Sequence, residues 1–537
     1  MIFAPMRGNY SIASGGQNRI GMRRGQRKVP IMQDSVIAFL TSPSGHPGEG
    51  PVEVVQTHGA MIFLAGDIAL KIKRSVHYDY MDLSTLDRRE AMLRRELALN
   101  KPIAPEIYQD VVPVTRARDG SLMLDGDGTP VEWVLRMRRF PARNELAAIA
   151  AAGGIDDDLA DDLGTAIFAF HQQTPRRDCD GAQLVFDILD ELDGVFAGLR
   201  GRLEPSLIKT FRRNSRAALD RLAPVLRARG KTGHVRRGHG DLHLGNLVLL
   251  DGKPVPFDAL EFDETLGTCD VLYDLAFLLM DLRHRGLDRQ ANMVLSSYLL
   301  SASGQEDEGV AALPLFIATR AAIRAMVLTQ TALATGARAN PEAERYLATA
   351  VAALTPEPAS LVLVGGLSGT GKTSVARALA PLIGAAPGAV HLRSDLERKA
   401  MRGKDARSRL GAGAYTAQAR ALVYQRVSAR ARTILAAGHS VLLDATFLDE
   451  EARRTAQDIA QKTDVATTKL WLHAPLPTLL ERVRGRCGDA SDADEHVVRQ
   501  QFSLGKAPDD WQVISAEGSV SETVELAVKA LNPAPEQ

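Results

Sequence analysis

Apolar positions recur at a spacing of two, or in short blocks, from Val52 to Arg74. They form Val52-Glu-Val-Val55, Ala60-Met-Ile-Phe-Leu64 and Ile68-Ala-Leu-Lys-Ile-Lys73, the last two separated by Ala65-Gly66-Asp67. That spacing predicts consecutive β-strands. Helical spacing predicts a helix over Leu86 to Asn100, and Val131 to Phe140 reads as a strand running into a connector at Pro141, with Met137 or its neighbours on that connector. Asp162 to Gln172 reads as an amphipathic helix ending in His171, a packing histidine. The runs Leu247–Leu250 and Val255–Phe257 flank Asp251-Gly252-Lys253-Pro254, and Asp-Gly suits a tight hairpin turn with positive φ. Helical runs follow at Cys269–Met280, Ala311–Thr335 and Glu342–Leu354.

Past Thr355-Pro-Glu-Pro358 the pattern changes. Strand-like Ser360–Val364, Ala389–Leu392, Ser440–Leu443 and Thr468–Leu472 alternate with helical segments such as Ser374–Ile383 and a helix from Leu476. Such alternation predicts a doubly wound parallel α/β sheet. We therefore expect a multidomain chain: an α+β domain over 32–354, a linker at 355–359, and an α/β domain over 360–537, each side long enough for its own core.

Composition narrows the function classes. In 537 residues, 65 Lys plus Arg balance 65 Asp plus Glu, so no global field recruits nucleic acid or anionic lipid. No uninterrupted apolar run approaches the ~20 residues of a membrane span, and Val271–Met280 is broken by Asp274. Cys179, Cys269 and Cys487 are isolated and lack metal-ligand spacing, which fits free thiols in a reducing cytoplasm. Residues 1–31 are expected to form a disordered basic tail, with Arg7, Arg19, Arg23, Arg24, Arg27 and Lys28 and no acid, and Met32 is an alternative start.

The chemistry concentrates in two stretches. The first is His239-Gly240-Asp241, followed by Asn246 and, across the predicted hairpin, Asp258. Phosphoryl transfer needs a carboxylate to orient an attacking hydroxyl and oxygen ligands for Mg²⁺, and the protein-kinase loop H-R-D-x-x-x-x-N supplies both at this separation. The stretch resembles the aminoglycoside phosphotransferase family, which carries HGD in place of HRD and an aspartate like Asp258 in place of DFG. The resemblance implies a kinase-like fold in which Asp241 acts on the acceptor, Asn246 and Asp258 hold Mg²⁺, and a lysine on the Ile68–Lys73 strand grips the ATP phosphates. Lys71 fits best, with Lys73 a rival on the same strand face; the partner glutamate is Glu96, with Glu90 as the alternative. A G-x-G-x-x-G loop is missing. The resemblance also implies that Asp274 braces the catalytic loop; Arg320 and Arg324, one turn apart, are expected to pair structurally, with contact to an anionic substrate as the alternative.

The second stretch is Gly366-Leu-Ser-Gly-Thr-Gly-Lys-Thr373, a complete G-x-x-x-x-G-K-T after a strand and before a helix. Backbone amides of Gly366, Ser368, Gly369, Thr370, Gly371 and Ser374 are placed to wrap phosphates, Lys372 to reach the β/γ oxygens, and Thr373 to ligate Mg²⁺. Asp395 and Asp444 fall at the carboxyl ends of strands, where ligands bind such sheets. Asp395 is the candidate base, with a helix-cap role as its alternative and Asp444 the remaining carboxylate. Ser394-Asp-x-x-Arg398, together with Arg482-Val-Arg-Gly-Arg486 and Ser491-Asp-Ala-Asp494, resembles the gluconate kinase, zeta toxin and polynucleotide kinase group. That resemblance implies that Arg482 or Arg486 stabilises migrating charge. From Met32 onward the chain is similar to the family described as bifunctional aminoglycoside phosphotransferase/ATP-binding proteins.

The resemblance implies two ATP- and Mg²⁺-dependent phosphotransferase modules acting on hydroxyls of small-molecule acceptors. A regulatory pair with one non-catalytic nucleotide-binding module, or a nucleic-acid end kinase, are the alternatives; the balanced charge weighs against the second.

Overall fold

The computed structural model describes residues 31–78, 81–199, 201–336, 340–355, 357–406, 408–485 and 493–531. The basic tail up to Pro30, Arg486, Cys487, Ser491 and Asp492 lie outside the described residues.

The first module begins with a six-stranded antiparallel sheet in the order Glu53–Gln56, Ala60–Ala65, Ile68–Lys73, Thr129–Arg138, Tyr108–Arg116, Leu122–Leu124. Successive side chains point to opposite faces of a strand. Ala69 and Leu135 accordingly pack with Leu93 of the Leu86–Asn100 helix, whereas Leu70 and Val134 pack with Val36 and Leu40 of the Ile31–Thr41 helix. Met137 is not on a connector. It lies within the sheet, opposite Ala69 and Tyr108, because Thr129–Arg138 stays paired to its end.

The rest of the module is helical. The hairpin Leu247–Leu250/Lys253–Pro256 forms as the Asp-Gly pair dictates, with positive φ at Asp251 (48°) and Gly252 (75°). Val271–His284 and Leu313–Ala334 form its apolar centre. The stretch Glu308–Ala334 is long and apolar enough to cross a membrane, with mean hydropathy 1.6, which the run-length argument missed because Arg320 and Arg324 interrupt it; 83% of its most apolar window is buried in the protein interior.

The second module is a five-stranded parallel sheet in the order Val390–Arg393, Val441–Asp444, Ser360–Gly366, Ala466–His473, Gln512–Ser515. Val362 and Leu442 on one face pack with Val375, Leu379 and Ala527. Leu361, Leu363 and Leu443 on the other belong to the apolar cluster that also contains Leu275, Leu295 and Phe316 of the first module. Two separate cores were expected; instead one face of this sheet is packed into a core shared across the junction.

Candidate active sites

The first site rests on the loop between strands Val235–Arg237 and Thr268–Asp270, which pair antiparallel. Gly240 holds φ +81°, and a Cβ there would lie 3.2 Å from Leu260 Cβ, so a left-handed turn without a side chain is required. Asp274, fully buried on the Val271–His284 helix, accepts the His239 N–H at 2.6 Å and the Gly240 N–H at 3.0 Å. Burial alone would raise its pKa, but His171, then His239 and Arg320, outweigh that and hold it at about 2. Arg320 donates to the Gly240 carbonyl at 3.2 Å and stacks on Tyr273, and His171 sits between Tyr298 and Asp274. The bracing role expected of Asp274 and the structural roles of Arg320 and His171 are what this geometry provides.

On the braced loop, Asp241 Oδ2 accepts the Asn246 side-chain amide at 2.9 Å and lies 3.5 Å from His243 Nε2. Its Oδ1 is buried and has no hydrogen-bond partner among the described residues. Burial pushes this carboxyl up, yet His243, His239 and Arg324 hold it well below the usual carboxylate range. It is an ionised acceptor with one oxygen unmatched, a costly state for a buried carboxylate. Asp258 stands at φ +61°, its N–H donating to the Tyr108 hydroxyl at 2.9 Å, and its Oδ1 meets Lys71 Nζ at 3.0 Å.

Both rival lysines reach Glu96: Lys71 at 2.5 Å on Oε1 and Lys73 at 2.7 Å on Oε2. They differ in their second partner, since Lys71 meets Asp258 and Lys73 meets Glu261. Glu90 instead pairs with Arg94 on the outer face of its helix. Burial raises the pKa of Glu96, but Lys71 and Lys73 overcome it and leave the carboxyl below its ordinary value.

The second site is an open cavity of ≈ 480 Å³ at the carboxyl edge of the parallel sheet, lined by the phosphate loop, Arg393–Asp395 and Asp444. Gly366, Gly369 and Gly371 all carry positive φ, and a Cβ on Gly366 would lie 2.5 Å from the Leu472 carbonyl. Thr370 and Lys372 both donate to the Leu367 carbonyl, at 2.8 and 2.9 Å, while the Ser368 N–H is taken by Gln501 Oε1 at 2.8 Å. Ser374 follows on the helix Lys372–Leu379 and lines the same cavity. Gln501 escaped the sequence reading because nothing in its local pattern marks it.

Thr373 Oγ1 donates to Asp444 Oδ2 at 2.7 Å. Burial raises the pKa of Asp444, but His391, Lys372 and Arg393 bring it down to about 2. Asp444 thus stands beside the phosphate-loop threonine, in the cavity that Asp395 also lines; an apolar strand ending in aspartate next to the phosphate-loop strand was the available signal. Asp395 lines the cavity and accepts from Arg398 at 2.6 Å. It is not a cap: the N-cap position of Ser394–Ala400 is Arg393, and no side chain caps it. Arg482 lines the cavity too, but its guanidinium donates to the carbonyls of Ala516 (2.7 Å), Glu517 (3.3 Å) and Gly518 (3.2 Å). These bonds engage Nη1 and Nη2 and fix Arg482 to the 516–518 turn at the edge of the cavity. Arg486 lies outside the described residues.

Comparisons with known proteins agree with this layout. The model of the phosphotransferase enzyme family matches residues 84–313, and an AAA-domain model matches 361–508. Uncharacterized proteins of Mycobacterium tuberculosis and Mycobacterium bovis are each 30% identical over 470 residues, covering 86% of this chain and 91% of theirs. Among solved structures, a choline/ethanolamine kinase family protein from Mesorhizobium loti aligns over 60% of this chain and 99% of its own, at 16% identity and TM-score 0.35. A gluconokinase from Sinorhizobium meliloti aligns over 32% and 91%, at 23% identity and TM-score 0.25. The chain belongs to the family of these mycobacterial proteins, in which a kinase-like aminoglycoside-phosphotransferase-type module is followed by a P-loop kinase module.

Proposed function

We propose that each module transfers the γ-phosphoryl group of ATP to a hydroxyl of a small-molecule acceptor. The observation that carries this reading is the convergence of Lys372, Thr373, Asp444 and Asp395 on one cavity, which lines it with both the phosphate loop and a carboxylate for an acceptor. Asp395 orients the acceptor hydroxyl and takes its proton, and Lys372 meets the charge on the transferring group. In the first module Asp241 plays the acceptor-side part through its unmatched Oδ1, and Lys71, steadied by Glu96, turns from Asp258 to the phosphates. The donor sets suit Mg²⁺, being all oxygen: Asn246 and Asp258 would hold it in the first site, Thr373 and Asp444 in the second, where it neutralises phosphate charge. The protein acts where ATP is supplied, in the cytoplasm.

A second reading, in which the first module binds nucleotide without transferring it and regulates the other, draws on the Lys71–Asp258 contact at 3.0 Å. Incubating the full chain with ATP and a metabolite extract, and following compounds that gain a phosphate, separates the two. Two products are expected, one lost in Asp241→Asn and the other in Asp395→Asn. A single product insensitive to Asp241→Asn leaves the regulatory reading; no product at all removes the proposal.

A further inference from the structure

Three parts of the second site lean on the first module. Arg377, on the helix opened by Lys372 and Thr373, donates to Asp161 at 2.6 Å and to Asp157 at 3.2 Å, both on the Asp157–Gln173 helix. The strand leading to Asp395 is held on the Asp288–Ser301 helix: Asn292, itself buried, donates to the Ala389 carbonyl at 2.9 Å, and Ser296 Oγ accepts the His391 N–H at 3.2 Å. The third contact reaches the acceptor side itself.

Arg430, 5% exposed on the Ala417–Ala436 helix of the second module, has a guanidinium that faces both modules. It donates twice to Asp307 of the first, from Nε at 2.8 Å and Nη2 at 2.7 Å, and once to the Leu299 carbonyl at 3.0 Å. Its Nη1 donates to Glu397 Oε1, and Arg426 takes the other oxygen, Oε2, at 2.7 Å. Glu397, 1% exposed, lies two residues after Asp395 on the seven-residue helix that also carries Arg398. A carboxylate buried this deeply is strongly destabilising once a partner is removed or displaced, so the helix follows Arg430. The fork geometry fixes direction as well as charge: one planar guanidinium bridges Asp307 and Glu397 only if the two carboxylates keep their spacing.

We propose that the first module is a structural component of the second site, and that Arg430, held by Asp307, is a positioning residue that sets the helix carrying Asp395 through Glu397. The inference rests on the reading of the second module as a phosphotransferase whose acceptor meets Asp395. Phosphoryl transfer tolerates little displacement of the group that orients the acceptor, whereas nucleotide is gripped by the phosphate loop, which is not part of this helix. Loosening the tie therefore separates acceptor-side order from nucleotide affinity.

Amide hydrogen exchange of the full chain, with and without the Mg²⁺ complex of a non-hydrolysable ATP analogue, reads both. In Asp307→Asn, exchange over 394–402 should quicken at least tenfold, while analogue-induced protection over 366–376 persists and the analogue's Kd at that loop changes less than twofold. Asp307→Glu, which restores the charge, should bring exchange over 394–402 back toward the native rate. Should Asp307→Asn not fold, Arg430→Lys, which keeps a charge but cannot span both carboxylates, carries the same test. Unchanged exchange over 394–402, or equal acceleration in the strands 441–444 and 466–473, overturns the proposal. Neither readout depends on an acceptor, so failure here leaves the phosphotransferase reading to its own test.

Discussion

The two sites are built in opposite ways. The first is assembled from side chains far apart in sequence: Lys71 on a strand, Glu96 on a helix and Asp258 after a hairpin meet in one buried ion network. The second is mostly one contiguous loop whose backbone amides do the binding, facing an open cavity of ≈ 480 Å³. A buried charge network makes stability and function inseparable, because each member neutralises another. A backbone cradle lets function be removed while the fold stays, since glycine geometry and the sheet carry the structure.

The largest expected effect is on rate. Asp241→Asn should slow transfer by the first module ~10²–10⁴-fold, as loss of a general base does, with nucleotide affinity changed only a few-fold. Single-turnover transfer from labelled ATP to the first module's acceptor checks it, and an unchanged rate would show that the unmatched Oδ1 is not aimed at an acceptor.

Stability should break the comparison next. Glu96→Ala leaves the two buried lysines with one carboxylate each, Lys71 with Asp258 and Lys73 with Glu261, and should cost ~3–5 kcal/mol by urea denaturation. Lys372→Ala should abolish nucleotide binding at the second site yet cost less stability than Glu96→Ala, because Lys372 bonds a carbonyl of its own loop and Asp444, whose charge it also faces, keeps Thr373, His391 and Arg393. Equal losses in the two variants would erase the distinction.

Acid should sharpen it. His439 is buried against the Gly388 carbonyl at 2.9 Å, and burial lowers its pKa from 6.5 to about 4 despite that bond. Below pH 6.5 the unfolded chain takes a proton that the folded one refuses, so stability falls as pH drops toward 4, by ~2 kcal/mol at pH 5. Asp274, lowered from 3.8 to about 2, contributes stability that is fully present above pH 3.8 and lost only as pH falls through about 2. The urea midpoint should therefore be lower at pH 5 than at pH 7. His439→Gln, which keeps a donor for Gly388, should flatten that difference. The smallest effect belongs to Glu90, whose pair with Arg94 is solvent-facing: Glu90→Ala should change stability by less than ~0.5 kcal/mol. A loss comparable to that of Glu96→Ala would mean that the wrong glutamate has been placed in the site.

What the sequence determined by itself was local. The hairpin turn at Asp251-Gly252, the Leu86–Asn100 helix and the phosphate loop with Gly366, Gly369 and Gly371 at positive φ follow from backbone preferences and periodicity within a few residues. The closeness of Asp241 and Asn246, five apart on one loop, is local too, but that the amide of Asn246 donates to Asp241 was seen only in the structure. Tertiary structure alone decided that Lys71 and Lys73 share Glu96, that Arg482 donates to the 516–518 carbonyls, and that Gln501 reaches Ser368 across 133 positions. It also carried one apolar cluster across a junction that sequence marked as a boundary, and set Arg430 between Asp307 and Glu397. Period and turn chemistry specify which face a residue occupies; which charged partner it meets there depends on how distant elements pack, and that choice has no local signature.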